Sequence, residues 1–356
     1  MIKYLGSKRT LLPFIGAIAT ASQAKTAVDL FTGTTRVAQE MKRRGIHVST
    51  VDIATYSDIL AKTYIVADAS KVDSNSLLEK LQYLSSLPPK DGYFTETFCV
   101  KARYFQPKNG MRVDAIRDCL ENEFTKDADF PILLTSLMLA ADRVDSTTGV
   151  QMAYLKQWAQ RANNDLDLRL PELLAGTGVS ILGDAQEVLP TLQKVDLLYM
   201  DPPYNQHRYF TNYHIWESLI RWDKPESYGI AMKRIDSRDD ETKSVFNKKR
   251  EMPIAFRDVI EKANAELVVV SYNNESWVSA GDISESLFNA GHSHVELLEF
   301  DYKRYVGAQI GIYNPSGEKV GKVTSLRNKE LVFVAGSKEK VEAATNAAKH
   351  VRDFGK

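Results

Sequence analysis

The chain has 356 residues, of which 44% are apolar and 26% are charged, so it can bury a sizeable core and is neither disordered nor fibrous. Its 46 basic and 46 acidic residues balance, so the net charge neither indicates nor excludes a polyanionic partner. Its two cysteines, Cys99 and Cys119, are too few for a disulfide framework or a four-cysteine zinc site. The sequence has no run of about 18 apolar residues and no apolar segment typical of a secretory signal, so we expect a cytoplasmic protein without a membrane partner.

The chain opens with the pattern of a parallel, doubly wound sheet. A buried strand, a glycine-containing turn, a helix and a second strand follow one another, an order typical of α/β domains. Gly45 stands where glycine commonly ends a helix. The predicted elements are a helix at Leu11–Ala21, a strand at Thr26–Phe31, a helix at Arg36–Arg44 and a strand at His47–Val51 followed by Asp52.

The middle of the chain, from about Asp58 to Gly176, is predicted to be helical because its apolar residues recur at helical spacing. We therefore predict one α/β domain, formed by residues 1–57 and 177–356, with a helical insertion at residues 58–176. The predicted helices of the insertion are Asn75–Leu84, Val113–Leu120, Pro131–Ala141 and Ala153–Arg161.

Strand patterns return after the insertion. The apolar runs Ala308–Tyr313 and Glu330–Ala335 are expected to be antiparallel hairpin partners at the edge of the sheet. The segment Ser227–Pro253 is highly charged and has no clear periodicity, which predicts a long mobile loop. The other predicted strands are Val179–Leu182, Val195–Met200, Glu266–Ser271 and His294–Phe300.

The first candidate for a functional loop is Asp29-Leu30-Phe31-Thr32-Gly33-Thr34-Thr35. A glycine between a strand and a helix lets a ligand approach the backbone closely. Asp52 follows Asp29 by 23 residues, near the spacing of about 20 at which an acidic residue binds ribose hydroxyls in dinucleotide folds. Because the run has a single glycine, it suits a nucleoside ligand without phosphates better than a dinucleotide. An ordinary turn between strand and helix remains the alternative.

The second candidate is sharper and consists of Asp201-Pro202-Pro203-Tyr204 at the end of the apolar strand Val195–Met200. Residues at the carboxyl end of a parallel strand lie where α/β sheets bind their ligands. Two successive prolines fix the backbone and remove two N–H donors, which leaves carbonyl acceptors. Asp201 and the Pro202 carbonyl can therefore both accept hydrogen bonds from a planar amine, while Tyr204 offers a stacking face. A surface turn that contains prolines is the alternative.

With these residues the chain resembles the S-adenosylmethionine-dependent adenine-specific DNA methyltransferases. Within them it is similar to the Dam-like subgroup, whose members begin with a Lys-aromatic-x-Gly-x-Lys segment, here Lys3–Lys8. The resemblance covers nearly the whole chain in the order of the family's motifs. It continues through Asp29–Thr35, Tyr104-Phe105, Val113–Arg117, Ala141–Val144, Gly183-Asp184, Asp201–Tyr204, Tyr213-His214 and Ser271–Asn274.

The resemblance implies a Rossmann-like methyltransferase sheet, mostly parallel with an antiparallel edge hairpin, interrupted by a helical target-recognition insertion. It implies S-adenosylmethionine as cofactor, double-stranded DNA as partner and, for a modification enzyme, a cognate restriction endonuclease. The implied catalytic residues are Asp201, Pro202, Pro203 and Tyr204, and the implied cofactor-binding residues are Tyr4, Lys8, Phe31, Gly33, Asp52, Asp184 and Asp201.

Some of these positions have simpler alternatives. Lys8 could be a solvated lysine, and Asp184 could cap the short helix that follows it. The family often has a second glycine where this chain has Thr35, whose hydroxyl could instead cap the next helix. Ser271–Asn274 could line the base pocket or form a plain turn. Helical spacing predicts that Tyr213, Trp216, Leu219 and Ile220 are core residues.

Two basic segments are candidates for contact with DNA. Lys101–Arg117 has five basic residues interleaved with aromatic ones, and Lys243–Arg250 has four basic residues and no acidic one. Such residues neutralise phosphates and fix the register on a duplex, although charge runs are commonly solvated faces. Asn205, Arg208 and Tyr209, which follow the catalytic tetrapeptide, are expected in the channel for the target base or backbone. The expected DNA-binding residues are Lys101, Arg103, Tyr104, Lys108, Arg112, Arg208, Lys243, Lys248, Lys249 and Arg250.

The implied reaction transfers a methyl group to the exocyclic amine of adenine after the base leaves the duplex stack. It requires no metal and no covalent bond between enzyme and base. The alternatives are an amino methyltransferase that acts on cytosine in DNA or on RNA, and a non-catalytic DNA-binding protein on the same fold.

Overall fold

The computed structural model describes residues 2–6, 8–203, 206, 208–303 and 327–354. Its helices are α1 (Leu12–Ala21), α2 (Arg36–Arg43), α3 (Thr55–Ala61), α4 (Ser74–Ser86), α5 (Tyr93–Thr95), α6 (Pro107–Cys119), α7 (Phe130–Arg143), α8 (Ala185–Val188), α9 (Tyr209–Asn212), α10 (His214–Arg221), α11 (Met252–Glu261), α12 (Ala280–Asn289) and α13 (Lys338–Phe354). Its strands are β1 (Thr26–Leu30), β2 (His47–Asp52), β3 (Val179–Leu182), β4 (Val195–Met200), β5 (Ser227–Tyr228), β6 (Lys233–Arg234), β7 (Ala265–Asn273), β8 (His294–Lys303) and β9 (Arg327–Gly336).

The chain divides into two compact units, each built from three stretches of sequence. Unit 1 comprises residues 1–9, 31–185 and 207–244, and unit 2 comprises residues 10–30, 186–206 and 245–356. Residues 58–176, the predicted helical insertion, share a unit with the segment that follows the Asp-Pro-Pro sequence.

Five strands of unit 2 are hydrogen-bonded in the order β1–β4–β7–β9–β8. β1, β4 and β7 are parallel, whereas β9 runs antiparallel to both of its neighbours. Neighbours on both sides explain why β4 is a continuous apolar run whose last four residues are buried. Unit 1 adds the parallel pair of β2 and β3, with Asp52 opposite Leu182. The expected α/β class, with mostly parallel strands and an antiparallel edge, is confirmed.

The helical prediction for the middle of the chain also agrees with the structure. Residues 58–176, all of them described, contain helices and turns but no strand. α7 buries eleven consecutive residues, from Ile132 to Asp142. Three helices, α3, α5 and α6, continue into π-helical turns at Lys62–Val66, Glu96–Val100 and Leu120–Phe124.

The structure corrects two expectations about local structure, and a third lies outside the described residues. The segment Ala153–Arg161 is not a helix, because the N–H groups of Leu155 and Ala159 donate to the carbonyl and hydroxyl oxygens of Ser146. The Ser227–Pro253 segment is not irregular, since it contains β5, β6 and short 3-10 turns. The predicted hairpin partner at Ala308–Tyr313 is outside the described residues, and the observed partner of Glu330–Ala335 is β8.

Candidate active site

The loop after β1 has an unusual backbone. Phe31, Gly33 and Thr35 all have positive φ angles, of 65°, 53° and 61°. Such angles suit glycine but strain residues that carry a Cβ atom, most of all a β-branched one. The N–H groups of Phe31 and Thr32 both donate to the Val51 carbonyl, at 3.0 and 3.1 Å. The loop is therefore fixed on the carboxyl end of β2.

Asp52 completes this attachment through its side chain. One carboxylate oxygen accepts from the Gly33 N–H at 2.8 Å, and the other accepts from the Ala54 N–H at 2.9 Å. Burial raises the pKa of Asp52, and these N–H bonds oppose the rise. The Gly183 N–H donates to the Asp52 carbonyl at 2.9 Å, so Asp184 follows directly at the carboxyl end of the neighbouring strand. Unit 1 thus brings together Gly33, Asp52 and Asp184.

Tyr4 lies against Gly33 within a cluster of four tyrosines. A Cβ atom on Gly33 would be 3.3 Å from the Tyr4 ring. The Tyr4 ring stacks on Tyr209 and Tyr213, with centroids 5.3 and 4.7 Å away, and meets the edge of Tyr56 at 6.4 Å. Burial raises the pKa of Tyr4 and of Tyr56 well above the ordinary tyrosine value. The opening segment of the chain is therefore seated beside the glycine loop.

Further contacts fix that opening segment. The Leu5 N–H donates to the Tyr213 hydroxyl at 2.6 Å. The Lys3 ammonium pairs with Asp142 at 3.0 Å and Asp145 at 3.1 Å. Lys8 is buried, with 6% of its surface exposed, so the alternative of a solvated lysine is wrong.

Thr35 does not cap α2 through its side chain. Its hydroxyl donates to the Thr34 carbonyl at 2.7 Å and accepts from the Gln39 amide at 2.8 Å. The helix-cap alternative is therefore wrong, and the left-handed backbone explains why a glycine would fit this position without strain.

Sequence reasoning missed two members of this site. Tyr56 gave no signal, because its partner Tyr4 is 52 residues away in the chain. Glu217 is buried, and its carboxylate accepts from the N–H and hydroxyl of Thr55 at 2.8 and 2.5 Å, at the start of α3. Burial raises the pKa of Glu217. The core prediction for Tyr213, Trp216, Leu219 and Ile220 is confirmed by their burial.

The Asp-Pro-Pro sequence lies in unit 2, directly after β4. Met200 is opposite Leu30 of β1 and Val270 of β7, so Asp201 follows the last paired residue of the central strand. Pro202 is buried, whereas Asp201 and Pro203 are partly exposed. Tyr204 and Asn205 lie outside the described residues.

Ser271 to Asn273 belong to β7 rather than to a turn. They pair with Val332, Leu331 and Glu330 of β9. The buried Ser271 hydroxyl donates to the buried Glu330 carboxylate at 3.1 Å. The plain-turn alternative is thus wrong for these three residues.

The residues expected to contact DNA lie in different structural environments. Tyr104 is fully buried, so its expected DNA contact is wrong, and the residue belongs to the core. Arg103 donates to the Lys156 carbonyl, and Arg112 donates to the Ser85 and Leu87 carbonyls. Ion pairs join Lys101 to Glu96, Lys108 to Asp165, Lys243 to Asp240 and Lys248 to Glu251, while Arg208, Lys249 and Arg250 are exposed.

Comparison with known families decides between the classes that this geometry allows. Residues 4–284 match the family model of D12 class N6 adenine-specific DNA methyltransferases. The chain belongs to this family. The matched range contains the glycine loop, Asp52, Asp184 and Asp201–Tyr204, so the predicted family of adenine-specific methyltransferases is confirmed.

Curated relatives carry names that agree with this membership. The modification methylase StsI of Streptococcus sanguinis is 29% identical over 87% of this chain and 50% of its own length. The type II methyltransferase M.NlaIII of Neisseria lactamica is 29% identical over 85% of this chain and 92% of its own. The chain thus spans about half of the first relative and most of the second. A solved structure described as a putative SAM-dependent methyltransferase from Streptococcus mutans matches 94% of this chain and 50% of its own, with a TM-score of 0.35 and 10% identity. In the described part of the chain, no helix is long and apolar enough to cross a bilayer.

Proposed function

We propose that this chain is a site-specific DNA methyltransferase that modifies the exocyclic amine of adenine in duplex DNA with S-adenosylmethionine as the methyl donor. The observation that carries the proposal is Asp201-Pro202-Pro203 at the carboxyl end of β4, a strand with parallel neighbours on both sides. In α/β proteins this edge of the sheet is where ligands bind. The Dam-like subgroup is the narrower assignment, supported by the opening Lys3–Lys8 segment and its contacts with the glycine loop.

The residues of unit 1 have the chemistry to hold S-adenosylmethionine. Asp52 retains acceptor capacity on both carboxylate oxygens, which suits ribose hydroxyls. Ile53, next to it, is 53% exposed and offers an apolar face for an adenine ring. We assign Tyr4 and Lys8 to the methionine portion, Phe31 and Gly33 to the cleft wall, and Asp184 to the adenine amine. When bound, this cofactor supplies an electrophilic methyl group.

The residues of the Asp-Pro-Pro sequence act on the amine. The lone pair of an adenine amine is delocalised into the ring, which makes the nitrogen a poor nucleophile. Hydrogen bonds from that amine to the Asp201 carboxylate and the Pro202 carbonyl favour a pyramidal nitrogen with a free lone pair. A preorganised carboxylate also stabilises positive charge that develops on the nitrogen more than it stabilises the ground state. Tyr204 is assigned to stacking on the flipped base.

We assign the contact with DNA phosphates to the exposed cations among the expected residues. These are Lys101, Lys108, Arg208, Lys248, Lys249 and Arg250, with Arg103, Arg112 and Lys243 as partly exposed members. The ion pairs of the exposed lysines are surface pairs worth little, so phosphates can replace the carboxylates. Residues 58–176 are the proposed target-recognition part, and a cognate restriction endonuclease is the proposed genetic partner.

The proposal is tested by modification-sensitive sequencing of DNA from cells that express the chain. We expect N6-methyladenine at a single sequence motif, and no modification with Asp201→Asn. The matched control is Asp196→Asn, at the other end of β4, whose carboxylate accepts from the Lys25 and Thr26 N–H groups. Methylated cytosine, or activity retained in Asp201→Asn, would contradict the proposal.

A further inference from the structure

The β5–β6 hairpin presents the most exposed large apolar side chain among the described residues. Ser227 and Tyr228 pair with Arg234 and Lys233, and residues 229–232 form the loop between them. Ile230 at its tip is 82% exposed. The turn closes through the Met232 N–H, which donates to the Gly229 carbonyl at 3.0 Å, and Gly229 supplies a φ of 69°.

The hairpin is firmly held, so the exposure of Ile230 is imposed by the fold. The Arg234 guanidinium is buried and donates to both oxygens of Asp223 and of Asp236, at 2.6 to 3.0 Å. These carboxylates keep the pKa of Arg234 above its ordinary value. The buried Tyr104 hydroxyl donates to the Ala231 carbonyl at 3.1 Å, next to the tip.

Two cations lie against the ring of Tyr228, two residues before Ile230. The Arg238 guanidinium lies 3.9 Å from the centre of the Tyr228 ring, and the Lys233 ammonium lies 6.0 Å from it. In the described part of the chain, neither has an ion pair with a carboxylate, while Asp223 and Asp236 are engaged by Arg234. An exposed apolar tip in a hairpin that carries two cations without ion pairs fits a polyanion with an apolar interior, and a DNA duplex has both properties.

We propose that Ile230 is a wedge that enters the base stack of duplex DNA while Lys233 and Arg238 contact the flanking phosphates. The inference rests on the proposed function, in which the target adenine leaves the stack. Removing a base from the duplex costs a few kcal/mol, and other DNA-binding proteins insert apolar side chains between base steps, which partly unstacks them. Ile230 thus stabilises the flipped state without touching the reacting amine.

The test compares Ile230→Ser with Ile254→Ser, a matched control because Ile254 on α11 is 72% exposed. These two variants, Ile230→Leu and the parent are assayed on a duplex that carries the motif found by sequencing. The duplex is used once fully paired and once with a mismatch opposite the target adenine. A mismatch lowers the cost of base flipping. We expect kcat/KM of Ile230→Ser to fall about tenfold on the paired duplex and about twofold on the mismatched one. Ile254→Ser and Ile230→Leu should match the parent on both.

Other outcomes overturn the wedge. An equal loss on both duplexes would make Ile230 an ordinary contact, and no loss would remove it from the interface. A change in sedimentation of the free protein, with kinetics unchanged, would assign the tip to a second copy of this chain. If the parent methylates no DNA, the proposed function fails and the wedge fails with it, whereas an active parent with an unaffected variant refutes the wedge alone.

Discussion

Phe31 and Thr35 have backbone conformations that cost about 1–3 kcal/mol each in residues with a Cβ atom. The surrounding hydrogen bonds hold them there: Val51 accepts two N–H groups of the loop, and Asp52 accepts a third from Gly33. Strain of this kind accumulates at ligand sites, where a fixed backbone replaces adjustment on binding. At the scale of single residues, Asp52 therefore has two duties, as the anchor of the loop and as the assigned ribose acceptor.

Asp52→Asn separates these duties. The amide oxygen can still accept from the Gly33 N–H, but the amide NH2 then faces the Ala54 N–H, and the negative charge is gone, so hydrogen bonds to ribose hydroxyls weaken. We expect the affinity for S-adenosylmethionine to fall by about 1–3 kcal/mol in calorimetry, and the lost Ala54 bond to lower the stability by about 1–3 kcal/mol. In the parent, affinity should weaken as the pH falls through the raised pKa of Asp52, because protonation removes the same charge.

Asp68→Asn is the matched control for that measurement. Asp68 also accepts from two backbone N–H groups, of Ser70 and Gly176, at 3.0 Å each, and it is not among the assigned cofactor residues. Its affinity should equal that of the parent. Unchanged affinity in Asp52→Asn would remove Asp52 from the ribose site.

The place of a residue in the site could be predicted where the residues that determine it are neighbours in the sequence. Asp201-Pro202-Pro203 is contiguous and follows an apolar strand, so its place was readable. The Thr55–Glu217 bond joins residues 162 positions apart, and only the fold brings them together. Tyr104 was misassigned because a buried tyrosine and a stacking tyrosine look alike in sequence, and the acceptors of its hydroxyl, at Gln151 and Ala231, are equally remote.

At the scale of elements, strands and helices with strong periodicity were predicted to within a few residues. β4 and α7 are buried on most sides, so their apolar residues alone determine the pattern. The β5–β6 hairpin was missed because its order comes from the salt-bridged Arg234 and not from apolar alternation. Charge-rich segments look like loops until their partners are known.

α10 begins with a buried titratable group that makes a pH prediction possible. His214 has no exposed surface, its Nε2 lies 2.9 Å from the Gln151 carbonyl oxygen, and burial lowers its pKa to about 3. His214 takes up a proton near pH 6.5 in the unfolded chain, but only at about pH 3 in the native state. Stability should therefore fall as the pH drops from about 6.5 toward 3, by up to about 1.4 kcal/mol per pH unit.

Urea unfolding of His214→Gln at pH 7, 6 and 5 tests this. Glutamine can still donate to the Gln151 carbonyl but cannot take up a proton, so its stability should depend less on pH than that of the parent. His47→Gln, at an exposed residue at the start of β2, should keep the slope of the parent. Parallel slopes for the parent and His214→Gln would show that His214 does not govern the acid sensitivity. Comparing variants also cancels the buried carboxyls whose raised pKa values act in the opposite direction.

At the scale of the whole molecule, hydrogen bonds join residues 58–176 to the segment that follows the Asp-Pro-Pro sequence. The buried Arg117 guanidinium of α6 donates to the carbonyls of Leu219 and Ile220 at the end of α10, at 2.8 and 3.0 Å. The Trp222 indole donates to Asp118 at 2.8 Å, and the Tyr93 hydroxyl donates to the Pro225 carbonyl at 3.0 Å. Together with the bond from Tyr104 to Ala231, these contacts attach the middle of the chain to residues 207–244, within one compact unit.

We expect this attachment to limit how the proposed target-recognition part can be exchanged between family members. Replacing residues 58–176 alone would leave the buried hydrogen-bond acceptors and donors of residues 207–244 without their native partners. The loss of a hydrogen bond from the buried Arg117 guanidinium to one of these carbonyls costs about 1.5–3 kcal/mol, a large share of the stability of a domain. We expect that chimera to unfold at a lower urea concentration or to be insoluble.

Replacing residues 58–176 and 207–244 together keeps the contacts within one donor protein and should give a folded enzyme. Sequencing of DNA from cells that express the second chimera should show the motif of the donor, still methylated at the N6 of adenine, because Asp201 and its strand remain those of the parent. A folded double chimera that methylates the parental motif would place sequence recognition outside both segments.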